Sequence, residues 1–146
     1  MQMRNLRRWG VAGALAGTLA FGGCGTMRTK ESTWSMNTTD KIPSAQGKVK
    51  VAAEKDGNTK VKVEVEHLAQ PANVFEEAST YVVWLKPEHG AAQNVGVLSV
   101  DKDLKGELET RTAFKDFSVI VTAEKNPHAT TPSPHSIMNA QVVMPT

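Results

Sequence analysis

The chain has 146 residues, a formal net charge of +2, and 22% charged against 40% hydrophobic residues. That balance lacks the strongly basic field that neutralises phosphates, which excludes nucleic-acid binding. A single cysteine, Cys24, excludes an internal disulfide, so the fold must stand on its apolar core alone.

The N-terminus carries Arg4, Arg7 and Arg8, then an apolar, small-residue run from Trp9 to Phe21, then Gly22 and Gly23 before Cys24. A charged start, a short apolar stretch and small residues at a cut form the order of a secretory signal. The run is too short to span a bilayer, which takes about 20 apolar residues. Gly10 stands where a twin-arginine signal wants an apolar side chain, so the general secretion route is expected. Removing residues 1–23 strips three arginines and no acids, so 17 basic residues fall to 14 against 15 acids, a net charge of −1.

The ending Leu19-Ala20-Phe21-Gly22-Gly23-Cys24 resembles the lipobox of bacterial lipoproteins, with Phe21 where leucine is usual. The resemblance implies cleavage before Cys24, a diacylglycerol on its sulfur and a further acyl chain such as palmitate on its amine. Several acyl chains hold a protein stably to a membrane, where one does so only marginally. Gly25 is not the aspartate that favours inner-membrane retention in that family, so the resemblance leans toward the outer membrane.

Residues 24–46 are polar and aperiodic, which reads as the lipidated cysteine and a flexible tether, with Trp34 its odd aromatic. From Gly47 the period is two. Val49, Val51 and Ala53 alternate with Lys48, Lys50 and Ala52. Val61, Val63 and Val65 alternate with Lys60, Lys62, Glu64 and Glu66. Such alternation marks half-buried strands. A three-residue loop over Asp56–Asn58 predicts Val49 opposite Val65, Val51 opposite Val63 and Ala53 opposite Val61, with either Gly57 or Asn58 left-handed. It also sets Lys48 against Glu66, Lys50 against Glu64 and Glu54 against Lys60.

Further strands are expected over Thr80–Lys86, Asn94–Asp101, Glu107–Ala113, Phe117–Lys125 and Ile137–Met144, with residues 126–136 a Pro/Ser/Thr loop. About seven short strands with regular turns and no helical period predict an all-β domain over 47–146, a single antiparallel Ig-like β-sandwich. Tyr81-Val82-Val83-Trp84-Leu85, Asn94-Val95-Gly96-Val97-Leu98 and Val119-Ile120-Val121-Thr122-Ala123-Glu124, with Thr131-Pro132 beyond, resemble the extracytoplasmic C-terminal domain of anti-sigma-K factors. The resemblance implies an Ig-like sandwich outside a membrane, with Trp84 a core tryptophan. The cytoplasmic sigma-binding domain and transmembrane helix of that family have no counterpart here, so only the outer module carries over.

Candidate chemistry is sparse. No Gly-x-Ser-x-Gly is present, and Cys24 is committed to lipid. His67 continues the inward phase of the valines and could cap the core, His89 lies in a turn, and Glu76-Glu77 is an acidic pair explained by solvation. The expectation is a lipid-anchored, non-enzymatic envelope protein without catalytic residues or cofactor. It would be a binding, structural or signalling-associated module whose partners are the membrane and an envelope protein or glycan. The alternative is a periplasmic metal-binding module using His128 and His135, joined by His67 or His89.

Overall fold

Five valines of the first hairpin, Val49, Val51, Val61, Val63 and Val65, are almost wholly withdrawn from solvent. Each contributes about 1.5–3 kcal/mol by leaving water. The computed structural model describes residues 30–144; the signal segment, the lipobox and Cys24 lie outside the described residues. The hairpin consists of β3 (Gln46–Ala53) and β4 (Thr59–Glu66), and its lysines and glutamates lie on the opposite, wetted side of the sheet. Parity explains the segregation, because side chains alternate across a strand.

The register differs from expectation by two residues. Val49 pairs with Val63, Val51 with Val61 and Ala53 with Thr59. Pairing continues past the strands, since the Glu54 N–H donates to the Asn58 carbonyl at 2.8 Å, leaving Lys55, Asp56 and Gly57 as the loop. Gly57 takes φ +89°, the left-handed conformation the turn requires. The loop is odd in length as expected but sits one residue earlier, and a two-residue slip leaves both valine rows on the inner face. It does change the charge pairs. Lys48 faces Glu64 and Lys50 faces Lys62. The repulsion is relieved diagonally, because Glu64 reaches Lys50 at 3.0 Å and Lys62 at 3.2 Å. Glu54 is held by Arg111, at 3.2 Å, instead of Lys60.

Residues 31–46 are not a tether. β1 (Glu31–Ser35) pairs along β3, setting Trp34 opposite Val49. The chain then crosses at the buried Met36 into β2 (Asn37–Thr38), which pairs with the last strand. Ile42 and Ala45 are buried too. The domain therefore begins near Glu31, because its first polar strand completes the edge of one sheet and its continuation completes the edge of the other.

The remaining elements are α1 (Pro71–Val74), β5 (Thr80–Pro87), β6 (Gln93–Leu98), β7 (Gly106–Thr112), β8 (Asp116–Glu124) and β9 (Ser136–Val143). Nine strands among the described residues form two antiparallel sheets, ordered β1-β3-β4-β7 and β2-β9-β8-β5-β6. The chain passes between sheets from β4 to β5 and again from β7 to β8. In the sheets β4 neighbours β7 and β5 neighbours β8. This interlock is the arrangement of an Ig-like all-β sandwich. Between the sheets lie the valines of β3 and β4, with Tyr81, Val83, Leu85, Phe117, Val119, Val121, Met138 and Val142.

One residue of the expected core sits elsewhere. Trp84 is fully buried, but it shares a face with Val82, opposite to Tyr81, Val83 and Leu85. That face is the outer side of its sheet. The loop over 126–135 covers it: the Asn94 side-chain amide donates to the Pro127 and Ala129 carbonyls, and the Ser133 N–H donates to Glu124 Oε1. The indole N–H of Trp84 donates to Thr122 Oγ1 at 2.8 Å, and that hydroxyl donates to Glu124 Oε1 at 2.7 Å. A buried indole N–H without a partner would be costly, and this chain of donors satisfies it.

Candidate functional site

Sheet β2-β9-β8-β5-β6 ends, where β5 begins and β8 stops, in a cleft of about 490 Å³. Three segments build it. The first follows α1, a single turn opened by Pro71, whose fixed φ suits a first helical position. The Phe75 N–H donates to the Pro71 carbonyl and the Ala78 N–H to the Phe75 carbonyl, so the chain curls to bring Phe75, Glu76, Glu77 and Ala78 to one wall. Ser79 stitches this wall to the second segment, the end of β8: its N–H donates to the Glu124 carbonyl and its hydroxyl to the Lys125 carbonyl at 2.8 Å.

The third segment, Ser133-Pro134-His135, is tied to the same strand. The Ala123 N–H donates to the His135 carbonyl, the Ser133 hydroxyl donates to the Ala123 carbonyl at 3.1 Å, and the His135 N–H donates to Ser133 Oγ at 3.2 Å. The His135 ring lies against Phe75, with centroids 4.2 Å apart, and the Lys41 ammonium sits 4.3 Å from the centre of the Phe75 ring. At the rim, Lys125 Nζ meets Glu77 Oε2 at 2.6 Å; the bond from Lys125 holds the exposed Glu77 carboxyl below the usual carboxylate range. Glu124, only 7% exposed, lines the interior.

Ser133, His135 and Glu124 thus share one cleft, which invites comparison with a nucleophile, base and acid. The geometry does not link them in that order. The Ser133 hydroxyl is engaged with backbone groups on both sides, the imidazole lies tilted against Phe75, and the carboxylate takes its bonds from Thr122 and Ser133 N–H. A triad needs the nucleophile bonded to the base and the base bonded to the acid.

The histidines considered for metal are placed apart in kind. His135 is in the cleft. His128 is exposed in the loop, its N–H donating to Asn126 Oδ1, and borders a shallow depression beside β6 instead. His89 is exposed in its turn beside Glu88. His67 does not cap the core: it is exposed with φ +56°, and the next residue, Leu68, takes the buried place. The left-handed backbone at His67 breaks the strand's alternation, which is why the inward phase stops at Val65. Among the described residues no three His, Cys, Asp or Glu side chains converge in a metal-binding group.

Sequence reasoning treated Glu76-Glu77 as a solvated pair and missed Phe75, Glu124 and Ser133 as neighbours. The sole sequence trace of their meeting is Glu124 itself, an acid ending the apolar strand Phe117-Ser118-Val119-Ile120-Val121-Thr122-Ala123. No protein-family model matches this chain, and no curated protein matches it.

Proposed function

We propose that this chain is a lipid-anchored, non-enzymatic protein of the bacterial envelope, whose β-sandwich binds a ligand or partner on the extracytoplasmic side. Lipid on Cys24 is the anchor, and the lipobox-like run Leu19–Cys24 supports it. The cleft is the binding element, and one observation carries that reading. Ser133 is bonded to backbone and Lys125 to Glu77, while Phe75, Ala78, Ala123 and Pro134 give the lining an apolar share. A concave, largely apolar cleft with a few fixed polar groups is the usual form of a binding site. The resemblance of residues 80–132 to the outer module of anti-sigma-K factors supports the extracytoplasmic setting.

The anchor is tested by Cys24→Ser with fractionation of cells. The wild-type protein should be found with membranes in processed form. The variant should accumulate as a full-length precursor and yield no lipidated product. A variant still cut at the same place and still membrane-bound would remove Cys24 from the account.

A further inference from the structure

Glu124 is an unusual component for the wall of an apolar cleft, because the residue is only 7% exposed. Both of its hydrogen bonds converge on one oxygen: Thr122 Oγ1 and the Ser133 N–H each donate to Oε1 at 2.7 Å. Among the described residues no group donates to Oε2. With Oε1 held by two donors and Oε2 left open to solvent, the second oxygen is a fixed charged acceptor, and a cationic donor makes the strongest hydrogen bond to it. Around it the lining carries Glu76, Glu77 and Glu124 against Lys125, with Lys41 just beyond over Phe75. Glu77 and Lys125 neutralise each other at the rim. Counting Lys41, three acids face two bases, so the cleft is net negative.

We propose that the cleft binds a small organic ammonium ion, with the ammonium on Glu124 and its apolar body against Phe75, Ala78, Ala123 and Pro134. The assignment rests on the binding reading above and specifies its ligand class. The volume, about 490 Å³, suits a small molecule. Thr122 and the Ser133 N–H are positioning groups: by pinning Oε1 they fix the carboxylate's orientation. Trp84, bonded to Thr122 beneath the same loop, buttresses them. The arrangement disfavours an anionic ligand of the same shape, whose carboxylate would be repelled by Glu124.

The test is calorimetric titration of the full chain in detergent, with empty micelles as the blank. The probes are phenethylamine and its anionic counterpart of similar size, hydrocinnamate. Phenethylamine should bind saturably and hydrocinnamate should not. Glu124→Gln keeps an oxygen to accept from Thr122 and Ser133 but replaces the second oxygen with a donor. It should weaken phenethylamine about tenfold or more, the scale of a lost charged hydrogen bond. Glu88→Gln, which removes an exposed acid outside the cleft, should leave binding unchanged, and a melting curve of each variant verifies its fold. Unchanged affinity in Glu124→Gln, or no saturation by the amine in the wild type, overturns the assignment. Binding of hydrocinnamate alone also overturns it, while leaving the cleft a binding site of another class. Failure of both probes counts against the cleft itself. Membrane anchoring through Cys24 is read separately by fractionation.

Discussion

At the scale of single residues, the valine rows and one tyrosine make the sharpest demands. Val63 is 1% exposed between the sheets, so Val63→Asp would bury a charge with no partner and should cost several kcal/mol. Lys62 lies on the opposite face, bonded to Glu64 and Glu107, and the Glu64 bond is the leading cause of its raised ammonium pKa. Lys62→Gln should change stability by about 0.5 kcal/mol or less, since exposed ion pairs contribute little. Urea denaturation of both variants checks the contrast. Tyr81 is fully buried, and its hydroxyl donates to the Ala69 carbonyl at 2.6 Å. Burial pushes its pKa from 10.0 up to about 12. Between those values the unfolded chain loses the phenolic proton while the folded one keeps it, so stability should fall as pH rises from 10 to 12. The loss is about 2–3 kcal/mol. Ultraviolet titration should show Tyr81, the chain's one tyrosine, ionising near pH 12 while folded and near 10 in denaturant.

At the scale of elements, the reading from sequence succeeded where period and parity speak and failed where they are silent. The alternation Val61-Lys62-Val63-Glu64-Val65 fixes which side is buried, and the turn cluster at Asp56-Gly57-Asn58 marks the reversal. Register was the weaker inference. Slipping by two conserves every face, so only turn geometry and charge pairing separate the two registers. The turn prevailed, and Glu64 keeps one of the expected pairs, with Lys50, while also reaching Lys62. β1 was invisible because Glu31-Ser32-Thr33-Trp34-Ser35 carries one apolar side chain, and an edge strand with a mostly wet outer face needs no more. Trp84 was misplaced for the reverse reason. Tyr81-Val82-Val83-Trp84-Leu85 is apolar or aromatic at every position, and a strand covered on both sides has no alternation from which to read its inner face. The clearest consequence concerns residues 31–46. If they were a tether, Ile42→Ala would be neutral. With Ile42 6% exposed against the core, the substitution should cost about 2–4 kcal/mol in thermal or urea unfolding.

At the scale of the whole molecule, the crossing from β1 to β2 and the loop over 126–135 do related work. The one segment finishes an edge of each sheet, β1 in one and β2 in the other, while the loop covers an outer face and supplies a wall of the cleft. The cleft was not legible from sequence because its walls, 75–78, 123–126 and 133–135, meet only after β5, β8 and β9 are aligned. In the proposed picture the protein hangs from a membrane by a lipid on Cys24. That picture depends on the state of Cys24, and intact mass spectrometry of protein extracted from membranes reads it directly. The account predicts a polypeptide beginning at Cys24, residues 1–23 removed, carrying the added mass of a diacylglycerol thioether and a further acyl group. A chain that retains residues 1–23, or one cut elsewhere with a free Cys24 thiol, would contradict it.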